Sequence, residues 1–115
     1  MKPGPETPLP AYAIASLRDV SMGAAIVAYL ERIDATLAPF GGRFIVHGGR
    51  KAVLEGRWPD DLIVIAFPDR EAAEGWYASP AYREILPLRR DNAGGDVVLV
   101  EGVPDGHRAP DILQG

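Results

Sequence analysis

The sequence predicts an α+β fold in which one four-stranded antiparallel sheet carries two helices on a single face. Three observations lead there. Four short strand-like stretches, the first two alternating with period two and the last two apolar throughout, are interleaved with two regions of 3.6-residue recurrence, in the order β-α-β-β-α-β. The second strand, continued past a Gly-Gly junction with no room for a helix, is separated from the third by a six-residue turn, so the two form an antiparallel hairpin. A chain of 115 residues builds one domain around one core and is too short for two.

Residues 1–10 carry four prolines and little that can be buried, and read as a flexible arm. Ala11 to Arg18 is the first strand, with Tyr12, Ile14 and Ser16 alternating against Ala13, Ala15 and Leu17; the small residues suit close approach by a helix. Asp19-Val20-Ser21 offers capping groups for a first helix whose stripe is Met22, Ile26, Tyr29, Leu30, Ile33 and Leu37. Pro39 and Gly41-Gly42 end it. Arg43 to His47 is the second strand, and strict alternation puts Arg43, Ile45 and His47 on one face. The pattern resumes at Lys51–Glu55, so residues 43–55 read as one long strand bent by a bulge at Gly48-Gly49. Gly56 to Asp61 is a turn, and Leu62 to Phe67 the third strand. Asp69 caps a second helical region that turns Ala72, Ala73 and Trp76 inward, and Ser79-Pro80 restarts it with Tyr82, Ile85, Leu86 and Arg89 on the inner face. Pro87 is expected to kink or end that helix. Asp96 to Glu101 is the fourth strand, which sets the domain at residues 11–102 and leaves a polar tail at 103–115.

This order is that of a ferredoxin-like split βαβ fold. Strands three and four are apolar on both faces, although the sheet face without helices should be wet if nothing covers it. Its plan area of about 350 Å² is near the largest apolar patch a monomer carries. Burying it on each of two chains is worth on the order of 17 kcal/mol gross, against association costs of about 4 to 15. A two-fold homodimer, sheet against sheet, is the expected assembly.

Composition removes several function classes. The chain has no cysteine, so disulfides, thiolate metal sites, iron–sulfur clusters and cysteine nucleophiles are excluded. A net charge of −4 argues against nucleic acid as a partner. No apolar run is long enough to cross a membrane and no apolar signal opens the chain, so a cytoplasmic location is expected. Two histidines in different contexts make no metal site, and no glycine pattern between a strand and a helix marks a nucleotide.

Tyr12, Gly41-Gly42-Arg43-Phe44, His47-Gly48-Gly49, Leu54-Glu55-Gly56 with Trp58, Phe67-Pro68, Ala73 with Trp76, Ser79-Pro80 with Tyr82, Leu88-Arg89 and Val98 to Gly102 recur in this order along the chain. Together they resemble the bacterial domain of unknown function 1330 family, within the dimeric α/β-barrel superfamily, over residues 10 to 102. The resemblance implies the ferredoxin-like fold and a dimeric barrel. The wider superfamily includes cofactor-free monooxygenases, haem-degrading enzymes, small-molecule isomerases and muconolactone-type enzymes, with pockets between sheet and helices. Where this chain has His47, many relatives are expected to carry Arg, and Pro87 is atypical.

The candidate site residues each carry two readings. His47 beside its glycines is a candidate general base, or a strand histidine satisfied by a carbonyl or water. Arg43 and Arg89 are candidates to clamp a carboxylate or enolate, or to pair with Glu55, Glu101 or Asp96. Trp58, Trp76 and Tyr82 either wall an apolar cavity or serve as core and dimer contacts, and Tyr29 is a core residue whose hydroxyl reaches an edge of the same site. The resulting expectation is a homodimer binding a small anionic or aromatic molecule in a sheet–helix pocket. Any catalysis would be cofactor-free, by proton transfer or oxygenation, with His47 as the proton carrier. The alternative is a non-catalytic dimeric stress-related or assembly module.

Overall fold

The computed structural model describes residues 8–114. Four strands, β1 (Ala11–Arg18), β2 (Arg43–His47), β3 (Asp61–Phe67) and β4 (Gly94–Glu101), form one antiparallel sheet in the order β2-β3-β1-β4. Helices α1 (Ala24–Leu37), α2 (Arg70–Ala78) and α3 (Pro80–Arg90) lie on one face of it. This is the ferredoxin-like α+β architecture. The N-terminal arm lies outside the described residues up to Thr7; from there the chain enters the sheet, where the Gly102 N–H donates to the Pro10 carbonyl at 2.7 Å. In the tail, Ala109–Gln114 forms a 3₁₀ helix.

The two caps in the second helical region follow from side-chain chemistry. Asp69 accepts from the Ala72 N–H at 2.8 Å, and Ser79 accepts from the Tyr82 N–H at 3.3 Å with Pro80 at the first helical position. Four local expectations are corrected. First, α1 begins at Ala24 without a side-chain cap, because Asp19 to Met22 forms a loop instead. Asp19 takes φ 53°, which Asp tolerates better than most residues, and the Ser21 N–H is spent on the Asn92 carbonyl at 2.7 Å. Second, of the kink or end expected at Pro87 the end does not fall there, since α3 runs on to Arg90. Pro87 is exposed, so the carbonyl it leaves without a helical donor is on the wet side of the helix.

Third, the bend in the hairpin sits at Ile45 and not at the glycine pair. Phe44 faces Ile65 and Val46 faces Val64, so Ile45 is the extra residue of a bulge. One extra residue reverses the alternation beyond it. His47 therefore turns to the helix-bearing face with Phe44, on which its ring stacks at 4.3 Å and 13°. Arg43, opposite Ala66, stays on the open face. Fourth, Lys51–Glu55 does not continue the strand. Gly48 takes φ 66° and donates its N–H to Leu62, and the chain then leaves the sheet.

The core packs Ala11, Ala13, Ile65 and Phe67 of the sheet against Tyr29, Ile33 and Leu37 of α1 and against Ala73, Trp76, Tyr82, Ile85 and Leu86 of the other helices. Trp76 is fixed there by donating from Nε1 to Thr36 Oγ1 at 3.0 Å, while Thr36 donates to the Ile33 carbonyl. On β1 the close approach expected of a helix is made by α2; α1 packs mainly against α3 and stands off the sheet. No helix among the described residues is long and apolar enough to cross a membrane.

Candidate functional site

The gap left by α1 is a cavity of ≈ 200 Å³ between the sheet and that helix. Its floor is the helix-facing row of the sheet, where Ala13 and Ala15 are too short to reach the helix and Ile63 and Ile65 flank them. Ile26, Tyr29, Leu30 and Ile33 of α1 form the roof. The mouth is framed by Val20 and Met22 of the loop before α1, by Ala93, and by the end of the β2–β3 hairpin with His47, Gly48 and Asp61.

Few polar groups reach this apolar space, and their placement defines its chemistry. Tyr29 lies on the roof with its hydroxyl 2.8 Å from that of Tyr82, the two rings meeting edge to face at 6.2 Å. Burial, and then the neighbouring Tyr82, push the Tyr29 phenol well above the ordinary tyrosine range, so it is neutral and able to donate. The Arg89 guanidinium sits 6.0 Å from the centre of the Tyr29 ring, half-buried against the cavity. Burial works against its charge, but Tyr82 and Tyr29 outweigh that effect and it remains a cation. Arg89 has no carboxylate partner among the described residues, so none of the ion pairs considered from sequence forms. At the mouth, His47 is exposed over Phe44.

Of the residues singled out by sequence, His47, Tyr29, Trp76 and Arg89 line this cavity. Tyr82 stands behind Tyr29 and holds its hydroxyl. Arg43 is elsewhere, in a hollow on the open face with Tyr12, Ile45 and Pro68, so it does not share a site with His47. Trp58 is also elsewhere, half-exposed beside Leu54 and Leu62. Sequence reasoning missed Asp61 and Phe44 as wall residues. It also read the Ala13/Ala15 row as a seat for a helix, where Ala15 instead makes room for the cavity.

This architecture defines the protein as a ferredoxin-like α+β domain. More particularly, the chain belongs to the family described as Domain of unknown function (DUF1330), whose sequence model matches residues 10–103. Among solved structures it is similar to a protein of unknown function from Rhodopseudomonas palustris, at 18% identity and a TM-score of 0.61, covering 84% of each chain. SnoaB, a cofactor-independent oxygenase from Streptomyces nogalater, is similar at 14% identity and a TM-score of 0.60, covering 87% of this chain and 99% of that one. A dimeric ferredoxin-like protein of unknown function from Bacteroides fragilis is similar at 15% identity and a TM-score of 0.52, covering 81% and 96%. No curated protein matches the chain.

Proposed function

We propose that the protein is a cytoplasmic homodimer whose cavity under α1 binds a small aromatic molecule carrying an anionic group, and that it acts on this molecule without a cofactor. The observation that carries the reading is the pairing of an apolar gap with a half-buried cation at its wall, Arg89, which has no carboxylate partner among the described residues. A cavity of about 150 Å³ is enough to hold benzene, so ≈ 200 Å³ suits a single ring. Arg89 and the neutral Tyr29 phenol are donors for a carboxylate or a developing enolate, and the low-polarity walls strengthen both interactions. His47 at the mouth is the group to take up or return a proton. That SnoaB, with a similar fold, is described as a cofactor-independent oxygenase supports the cofactor-free part of the reading.

Two features support the dimer. The face of the sheet opposite the helices leaves Val98 and Val100 exposed next to Tyr12, Ile14, Leu62 and Val64, and a fold neighbour is described as dimeric. The test of binding is thermal stabilisation and calorimetry with benzoate, salicylate and their neutral amides. Binding of the acids but not of their amides, retained in His47→Ala, supports the proposal. No stabilisation by any ring-bearing acid at millimolar concentration sinks it.

A further inference from the structure

We infer that residues 49–58 are an arm that docks on a second copy of this chain, extending the sheet-face interface, with Leu54 and Trp58 as its anchors. The inference rests on the homodimer proposed above and adds which segment holds it together.

The arm has the makings of a strand and no partner for it. Lys51-Ala52-Val53-Leu54-Glu55 is strand-like in sequence, yet among the described residues no backbone group of residues 49–60 bonds to the backbone of the chain. Backbone donors and acceptors are obligatory bonding groups, and an exposed run of them is a template for a partner strand. Its side chains are equally unpartnered: Leu54 is 91% exposed, Val53 and Trp58 49% each.

The position of the arm points to a second copy as the occupant. Its hollow is closed by Leu62, which belongs to the open face of the sheet, so arm and face make one continuous apolar surface. The sheet face alone offers about 350 Å² in plan, short of the roughly 800 Å² per partner that a stable interface buries. An extended segment of ten residues is about 33 Å long and about 10 Å wide, adding on the order of 330 Å² in plan, and true surface exceeds plan. Charge agrees, since the arm carries Arg50, Lys51 and Arg57 against Glu55 alone on a chain of net charge −4.

The experiment is sedimentation equilibrium of the full chain with Leu54→Asp, Trp58→Ala and, as a control on the outer side of α1, Val27→Asp. Folding is checked by circular dichroism, and the exposed positions make all three variants foldable. The expected result is a wild-type dimer, a dissociation constant raised at least about tenfold by Leu54→Asp and by Trp58→Ala, and no change with Val27→Asp. A wild-type dimer unaffected by either arm variant overturns the role of the arm while leaving the dimer standing. A monomeric wild type overturns both.

Discussion

Replacing Ala15 by Ile tests whether the space under α1 is a true void. Ala15 sits on the cavity floor opposite Ile63 and Val97. Ile adds three carbons, and its branched side chain suits a central strand. At about 0.8 kcal/mol per buried methylene the gain is near 2.4 kcal/mol. Ordering the side chain costs about 0.5 to 1 kcal/mol, leaving roughly 1.5 kcal/mol of stabilisation. For a domain of this size that is a rise of about 6 °C in Tm, read by calorimetry or by circular dichroism. The same variant should lose binding of benzoate, because the added carbons occupy the space of the ring. A loss of more than about 1 kcal/mol would mean strain in an already filled site and would refute the cavity.

Three other perturbations read the surrounding structure. Tyr82→Phe and Tyr29→Phe each remove the 2.8 Å hydroxyl contact, so each should cost about 1 kcal/mol in denaturant melts and the double variant about the same as either. Gly95 takes φ 140°, and a Cβ there would lie 2.1 Å from the Ser16 carbonyl oxygen; Gly95→Ala should therefore lower stability by at least about 1–3 kcal/mol and loosen hydrogen exchange where β4 meets β1. The Asp60 carboxyl accepts from Ser16 at 2.8 Å and from Arg18 at 2.6 Å, and these bonds, Ser16 first, hold it below the usual carboxylate range. A depressed pKa gives stability that is present above the unfolded value of about 3.9 and lost as pH falls through the folded one. Asp60→Asn should thus lower Tm at neutral pH and flatten its acid-side decline, and a decline as steep as in the wild type would contradict this.

The fold was legible because its signals are local and repeated: the alternation in β1, the continuous apolar run of β3, the Asp69 and Ser79 caps and the stripe through Tyr29 and Ile33 all describe short stretches of backbone. The site was harder because it depends on one residue of register. Glycine at 48–49 drew the expected bend to a place where the chain leaves the sheet, whereas the bulge falls at Ile45, a β-branched residue that carries no turn signal. That single shift separates Arg43 from His47. The cavity had a signal in the alanines of β1, but the same short side chains serve helix contact under α2 and a void under α1, and only the spacing of the helices distinguishes the two. Lys51–Glu55 reads as strand because its pattern is that of a strand, but no strand among the described residues pairs with it.

The central claim is that ligand binds under α1 beside Arg89 and not on the open face beside Arg43. Titration calorimetry of benzoate against wild type, Arg89→Gln and Arg43→Gln tests it most directly. The expected result is binding abolished or weakened at least about tenfold by Arg89→Gln, as for loss of a charge-assisted bond, with Arg43→Gln indistinguishable from wild type. Binding that survives Arg89→Gln and is lost with Arg43→Gln would contradict it.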